Sequence, residues 1–169
     1  MAYHKPSTLS FEVKLNETIN CRPLGVEDMP GCANVLLEKD NAFSPAIYDY
    51  FSKGYLGFGA FNGTQMVGYV FIKNPATRPE TLSVVKKKWR DLGIASTLRV
   101  FAIEQSRKEL VGEYVYSATE LGNVASLVSL LNSGYEITEI TDKKHIQLRK
   151  KLPTVKSTVI KNEPTTATS

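Results

Sequence analysis

The residues best suited to bind an anionic ligand lie between Val84 and Ala95, where an apolar strand runs into a basic turn and then into a helix. Gly93 and Ala95 are the small residues of the first helical turn, so a ligand can approach the backbone closely there. The first N–H groups of a helix lack a partner within it, and they carry the positive end of the helix dipole. This segment therefore predicts a site for a phosphate group.

The basic turn consists of Lys86, Lys87 and Lys88, followed by Trp89. Three such lysines are typical of a solvated surface turn, and they would also attract a phosphate over a distance, an effect that salt screens. We expect Trp89 to pack rather than to bind the ligand. The charged turn alone therefore assigns no ligand.

The element that must position this site is an amphipathic helix over residues 93–109. Its apolar residues recur at spacings of three and four, which predicts one face packed against a sheet. These residues are Ile94, Leu98, Phe101 and Ala102.

The strongest local signal elsewhere is Asn62-Gly63 between two apolar runs, which predicts a tight β-hairpin. After a weak strand signal at 11–15, the elements follow in the order β-α-α-β-β-β-α-β-α-β-β. This order predicts an α/β fold with a mixed central sheet, mainly antiparallel in its early part, and helices on both faces. The predicted strands cover residues 11–15, 19–23, 57–61, 66–72, 81–85, 114–118, 135–140 and 145–152, and the predicted helices cover 26–39, 45–53, 93–109 and 123–132.

Length and charge favour one globular domain with an anionic ligand. The 169 residues carry a net charge of +4 and a sequence pI of about 9.0, with 42% hydrophobic residues. A domain of that size buries a substantial core. The mild positive charge does not require nucleic acid, and no apolar run predicts a membrane span or a signal peptide.

The two cysteines, Cys21 and Cys32, have neither the spacing of a metal site nor that of a disulfide framework. We therefore predict a reducing, cytoplasmic environment and no bound metal.

We place an N-terminal extension at 1–17, with room for an extra strand, and the main domain at 18–152. Residues 153–169 are rich in Thr, Lys and Ser, which predicts a disordered tail.

Two blocks of this sequence resemble one protein family. Arg90-x-x-Gly93-x-Ala95, directly after a strand, resembles the coenzyme A signature Q/R-x-x-G-x-G/A of the GCN5-related N-acetyltransferases (GNAT). A second block starts at Asn123 and ends eleven and twelve residues later at Gly134-Tyr135, which resembles a later motif of that family. The spacing between the blocks also fits, and the resemblance covers about residues 19–152.

The resemblance implies a GNAT-like acyl-CoA N-acyltransferase fold, in which the strand ending at Val85 and the strand ending near Ala118 diverge and hold acetyl-CoA between them. The pyrophosphate would lie on the N–H groups of Leu92 through Ser96, and the pantetheine arm along Val84 and Val85. Asn123 would reach the arm from the other side, and it equally suits a helix N-cap. The implied coenzyme-binding residues are Val84, Val85, Arg90, Asp91, Leu92, Gly93, Ile94, Ala95, Ser96 and Asn123.

Acetyl transfer also requires a base, because an amine with a pKa of about 10.4 is mostly protonated near neutral pH. Glu120 is the first candidate, since some family members place a glutamate near this position as base. Glu80, at the start of the preceding strand, is the second, and either is also typical of a surface carboxylate. The backbone N–H of Val85 would stabilise the oxyanion.

The sequence departs from the family at Leu130, seven residues after Asn123, where many members place a tyrosine as general acid toward the departing thiolate. Tyr135, Tyr116 and Ser129 are candidates to replace it. A thiol with a pKa of about 8.5 also leaves tolerably as thiolate without such help. Leu130 therefore leaves open a non-catalytic coenzyme A-binding or structural module as the alternative to an enzyme.

We accordingly predict an acetyl-CoA-dependent N-acetyltransferase that moves the acetyl group directly to a primary amine of a small molecule or a protein. No pairing of a nucleophile with a histidine indicates a covalent relay. A nucleic-acid-binding or ribosome-associated protein is the third hypothesis, and no interleaved aromatic and basic motif supports it. The sequence predicts no membrane partner and leaves a homodimer open.

Overall fold

The computed structural model describes residues 7–14, 16–142 and 144–155, and that part of the chain contains eight strands and four α-helices. The strands are β1 (Leu9–Lys14), β2 (Glu17–Pro23), β3 (Leu56–Asn62), β4 (Gln65–Lys73), β5 (Glu80–Val85), β6 (Tyr114–Glu120), β7 (Glu136–Thr141) and β8 (His145–Lys151). The α-helices are α1 (Met29–Leu37), α2 (Pro45–Ser52), α3 (Ile94–Ser106) and α4 (Val124–Asn132). Short 3-10 turns occupy Val26–Asp28, Lys87–Trp89 and Arg107–Glu109.

The eight strands form one mixed sheet in the order β1-β2-β3-β4-β5-β6-β8-β7. Neighbouring strands are antiparallel except β5 and β6, which are parallel. The turn at Asn62-Gly63 joins β3 to β4, and Gly63 has the positive φ of 59° that favours glycine. The predicted mixed sheet, antiparallel in its early part, is confirmed.

Helices cover both faces of this sheet, as predicted. The strand β4 is buried on both sides, because Val70 and Ile72 face one core while Tyr69 and Phe71 face the other. Helices α3 and α4 contribute to the first core, and α1 and α2 contribute to the second. The apolar stripe predicted for α3 is buried in the first core: Ile94, Leu98, Phe101 and Ala102.

The boundaries differ from the predictions mainly at α1. This helix starts at Met29 after a 3-10 turn, and it ends at Leu37 because Glu38 takes a left-handed φ of 49°. The strand β1 lies within the predicted extension and pairs with β2. Leu15 of the predicted first strand and residues 156–169 of the predicted tail lie outside the described residues. Over the described ranges, no helix is both long and apolar enough to cross a membrane.

The strands β5 and β6 diverge soon after they begin. In the described chain their one registered pair is Glu80 with Tyr116, where the Tyr116 N–H donates to the Pro79 carbonyl at 2.9 Å. One residue further, Ser117 Oγ donates to the Thr81 carbonyl at 3.0 Å. Beyond these contacts the strands separate, which leaves a wedge that opens toward their C-terminal ends.

A charged pair fixes the entry into α1, on the face of the sheet opposite α3. Arg22 donates two hydrogen bonds of 2.9 Å to the Asp28 carboxylate, which also accepts from the Gly25 N–H. The hydrogen bonds from Arg22 hold the pKa of Asp28 below its ordinary value, against the opposing effect of burial. Asp28 therefore stabilises the fold in its ionised form.

The stability of the fold should depend on pH through this carboxylate. Its contribution is present above the unfolded pKa of about 3.9 and is lost as the pH falls through the lower folded pKa. Asp28→Asn should cost about 1–3 kcal/mol of unfolding free energy near neutral pH and less in strong acid. Denaturant unfolding over that pH range measures the difference, and a difference that does not change with pH would contradict the assignment.

Candidate functional site

A cleft of about 510 Å³ lies at the open side of the wedge, walled by β5, the turn that follows it, α3 and α4. Leu92 does not line this cleft, and it packs half-buried against the main core instead. The polar residues inside the cleft include Ser83, Arg99 and Ser129. Nine of the ten coenzyme-binding residues that the sequence predicts do line it: Val84, Val85, Arg90, Asp91, Gly93, Ile94, Ala95, Ser96 and Asn123.

The mouth of the cleft is the N-terminal end of α3. Asp91 and Gly93 both have left-handed backbone, with φ of 63° and 77°, and together they turn the chain sharply into the helix. The Thr97 N–H donates to the Gly93 carbonyl at 3.0 Å. This is the first hydrogen bond of the helix. The N–H groups of residues 94–96 lie before it in the chain, so they have no acceptor within the helix and can bind an anion.

One edge of β5 faces the wedge with no strand paired to it beyond the Glu80 and Tyr116 pair, and the Val85 carbonyl on this edge accepts from Arg90 Nε. The Lys86 N–H donates to the Val67 carbonyl of β4 at 2.8 Å. Since successive N–H groups of a strand point to opposite edges, the N–H groups of Val85 and Ser83 point toward the wedge. The strand β6 has already separated there. This edge can therefore accept an extended arm of a ligand as it would accept another strand.

The basic turn is fixed by its own hydrogen bonds. Arg90 Nε donates to the Val85 carbonyl at 3.0 Å, and the Lys87 N–H donates to Glu38 Oε1 at 2.5 Å. Trp89 is 3% exposed and packs in the main core, and it also borders the cleft. The side chain of Lys87 is exposed. Arg90 thus shapes the mouth of the cleft by holding the turn.

A buried arginine that the sequence analysis missed lies inside the cleft. Arg99 is 4% exposed, and its Nη2 donates to Ser83 Oγ at 2.8 Å. Its Nη1 donates to Ser129 Oγ at 2.8 Å and to Ser133 Oγ at 3.1 Å. The guanidinium therefore joins β5 to α4 across the interior of the cleft.

The spacing within α3 contained a signal for this residue. Arg99 follows Ala95 by four residues and Ser96 by three, which places all three on one face of the helix. Since Ala95 and Ser96 were predicted to face the ligand, Arg99 belonged to the same face.

Asn123 caps α4 and also lines the cleft. Its Oδ1 accepts from the Ser126 N–H at 3.1 Å, which is the hydrogen bond of an N-cap. This bond uses the amide oxygen and leaves the Nδ2 donors free. Both roles considered for Asn123 are therefore compatible with its position.

Two substitutions separate these roles. Asn123→Ser keeps a capping oxygen but loses the amide donor, so it should weaken coenzyme A binding about tenfold with little change in stability. Asn123→Ala should weaken binding to a similar degree and also cost about 1 kcal/mol of stability. Calorimetric titration and thermal unfolding measure the two effects. If Asn123→Ser binds coenzyme A with the wild-type affinity, Asn123 acts as a helix cap and does not contact the coenzyme.

Leu130 does not face the cleft. Its side chain is 1% exposed within the main core, so α4 turns the neighbouring Ser129 toward the cleft instead. Of the other candidate acids, Tyr135 is buried with its hydroxyl 2.7 Å from Thr81 Oγ, and Tyr116 packs under the Arg78 guanidinium. Burial raises the pKa of Tyr135. Among the three predicted replacements, Ser129 is the one that lines the cleft.

Neither predicted base lines the cleft. Glu120 is exposed at the end of β6, in register with His145, and it borders a separate depression of about 520 Å³. Glu80 is half-buried at the start of β5, where the wedge is closed by its pairing with Tyr116. A direct contact of either carboxylate with a ligand in the cleft therefore has no support in this geometry.

Comparisons with known proteins identify the fold. No family model and no curated protein matches the sequence. Ribosomal-protein-S5-alanine acetyltransferase from Vibrio fischeri has a TM-score of 0.66 at 15% identity, over 88% of this chain and 100% of that one. The protein yncA from Salmonella typhimurium, solved with its cofactor acetyl-CoA, has a TM-score of 0.66 at 12% identity, over 82% and 96% of the two chains. The GNAT domain of PAT from S. lividans has a TM-score of 0.64 at 15% identity, over 80% and 91%.

These similarities extend over most of each chain, although the sequence identities lie between 12% and 15%. Similarity at that level concerns the fold and not the substrate. The mixed sheet with helices on both faces agrees with the fold that the two sequence blocks implied. This chain has the GNAT acetyltransferase fold.

Proposed function

We propose that this chain is an acetyl-CoA-dependent N-acetyltransferase that moves the acetyl group directly to a primary amine of a small molecule or a protein. The observation that carries the proposal is the wedge, in which an unpaired edge of β5 leads up to the N-terminal end of α3. A ligand with phosphate at one end and an extended amide-containing arm complements both features. Structures of the same fold include one with acetyl-CoA and a NatC complex bound to Gag peptide and CoA, which supports this donor.

The coenzyme would lie along the cleft from its mouth to its interior. The pyrophosphate would accept hydrogen bonds from the N–H groups of residues 94–96, with Gly93 allowing the close approach. The pantetheine arm would lie along Val84 and Val85, where the Val85 N–H points to the wedge while the Val84 backbone points to β4. Asn123 would donate to the arm from α4, and Leu92 would contribute its backbone alone because its side chain packs against the core.

Acetyl transfer then needs an attacking amine and a stabilised oxyanion. The amine nitrogen attacks the thioester carbonyl carbon, and the Val85 N–H donates to the oxygen as its negative charge grows. The Ser83 N–H points to the same edge and lies nearer to Ser129, so it would take this role where the Val85 N–H pairs with the pantetheine arm. Glu120 and Glu80 remain our candidates for the base, and since neither lines the cleft, the proton would reach them through water.

The proposed acceptor is a primary amine of a small molecule or a protein. Two solved structures with this fold are named as alanine acetyltransferases of ribosomal proteins S5 and S18, and a third is named as a phosphinothricin N-acetyltransferase. These names support both protein and small-molecule amines as acceptors. Tyr48 of α2, on the face of the sheet opposite α3, is 56% exposed, and Phe43 just before α2 is 71% exposed, so both offer apolar surface to an acceptor. We also propose a cytoplasmic location, and the proposal allows a homodimer.

Release of free coenzyme A thiol tests this function. The protein is incubated with acetyl-CoA and, separately, with small primary amines, polyamines and peptides that have a free N-terminus. We expect at least one class to raise thiol release above the rate without amine. Calorimetric binding of acetyl-CoA without release by any class would favour the non-catalytic module, and no binding would remove both.

A further inference from the structure

The positive charge of Arg99 has no carboxylate partner in the described part of the chain. Buried charges are ordinarily paired with an opposite charge, because desolvation is costly. Burial accordingly lowers the pKa of Arg99, and the guanidinium nevertheless keeps its charge because arginine does not deprotonate in proteins. The ion pairs of the described residues join Arg22 to Asp28, Lys53 to Asp49 and Arg149 to Glu136.

Arg99 is held by hydroxyl groups instead, and this arrangement orients their protons. A hydroxyl oxygen that accepts from a guanidinium keeps its own proton to donate elsewhere. Ser133 donates that proton to the Ser129 carbonyl at 2.8 Å. Among the residues that the structure describes, Ser129 Oγ has a long contact of 3.4 Å with Ser96 Oγ besides its bond from Arg99. Ser129, which lines the cleft, is therefore a donor polarised by a neighbouring positive charge and open to a ligand.

The position of this donor corresponds to the interior end of the proposed ligand. Arg99 lies six residues after Gly93, about 9 Å along the helix axis from the mouth. The wedge closes in the same direction, where Thr81 and Ser117 are hydrogen-bonded. A coenzyme whose pyrophosphate lies at the mouth therefore directs its thioester end toward Ser83, Arg99 and Ser129.

We propose that Ser129, oriented and polarised by Arg99, donates a hydrogen bond to the coenzyme A sulfur as the thiolate departs. This inference rests on the proposed function. The new C–N bond forms, the C–S bond breaks, and its electron pair stays on sulfur as the thiolate, which takes a proton from water after release. The proton from the amine leaves through water. Ser129 thus supplies the hydrogen bond to the departing sulfur that Leu130 cannot supply, and Arg99 acts as a positioning residue.

The groups that face Arg99 are uncharged near neutral pH, so they do not neutralise its positive charge. They are the hydroxyls of Ser83 on β5, of Ser129 on α4 and of Ser133 at the end of that helix, together with Tyr135, which follows. Tyr135 is the titratable member, and burial raises its pKa above the ordinary value. The field at the sulfur should therefore stay positive throughout the neutral range.

The test is the pKa of the bound coenzyme A thiol, followed by the ultraviolet absorbance of its thiolate against protein without ligand. In the wild type the thiol should titrate at least about one unit below its free value, a tenfold gain in thiolate. Ser129→Ala and Arg99→Met should return it toward the free value. The buried thiols of Cys21 and Cys32 do not interfere, because burial raises their pKa to about 12. Ser133→Ala is the matched control, since Ser133 also accepts from Arg99 but does not line the cleft.

Kinetics provide a second measurement. With an amine that the wild type acetylates, Ser129→Ala should lower kcat roughly ten- to a hundredfold and leave KM for acetyl-CoA nearly unchanged. A bound thiol that titrates at its free value in the wild type and in Ser129→Ala would overturn this inference while leaving the proposed function intact. Absence of coenzyme binding to the wild type would instead overturn the proposed function itself. If Arg99→Met does not fold, Arg99→Lys and Ser129→Ala decide the question.

Discussion

Gly93→Val should weaken acetyl-CoA binding by roughly a hundredfold or more, measured by calorimetric titration. Gly93 has a φ of 77°, a conformation that valine adopts only with strain, although no atom lies within 4 Å of the position its Cβ would take. Relief of that strain must move the start of α3. The N–H groups of residues 94–96 would then lose their common direction, and the loss of two hydrogen bonds to a charged group accounts for the predicted effect.

Gly112→Val is the matched control for this substitution. Gly112 has a φ of 81° and equally open surroundings, but it does not line the cleft. Both variants should lose a similar amount of stability, and only Gly93→Val should lose affinity. Equal affinities in the two variants would show that the coenzyme does not use the start of α3.

Leu98→Ala should cost about 2–5 kcal/mol of unfolding free energy, measured by denaturant titration. Leu98 is fully buried on the face of α3 that packs against the sheet, so the truncation leaves a cavity that rigid neighbours fill incompletely. The residue does not line the cleft. The folded fraction should therefore bind acetyl-CoA with nearly the wild-type affinity.

Leu131→Ala makes the same chemical change at a surface position. Leu131 is 44% exposed on α4 and lies outside the cleft lining, so its truncation should cost less than about 1 kcal/mol. Similar losses for the two leucines would mean that α3 is not anchored through Leu98.

Local patterns predicted the elements and the mouth of the site. The spacing of Ile94, Leu98 and Phe101 predicted the buried face of α3, and Asn62-Gly63 predicted the hairpin, because each signal depends on residues close in sequence. The mouth of the cleft is also local, since Gly93 supplies both the turn and the start of the helix. These features could be predicted because each depends on residues within one short segment of the chain.

The interior of the cleft depends on contacts that span the chain, and the sequence predicted it less well. An arginine in the pattern of α3 is typical of a surface charge, and Arg99 is buried because Ser83 and Ser129, from two other elements, accept its hydrogen bonds. Leu130 was considered as a position facing the ligand, but the rotation of α4 buries it and turns Ser129 to the cleft. The placement of Glu120 depends on the direction in which β6 leaves β5, which no local pattern specifies.

A crystal structure of the chain with bound coenzyme A tests the central claim most directly. We expect the pyrophosphate within hydrogen-bond distance of the N–H groups of residues 94–96, the pantetheine arm along Val84 and Val85, and the sulfur beside Ser129. Coenzyme A bound elsewhere on the surface, with the wedge between β5 and β6 empty, would contradict it.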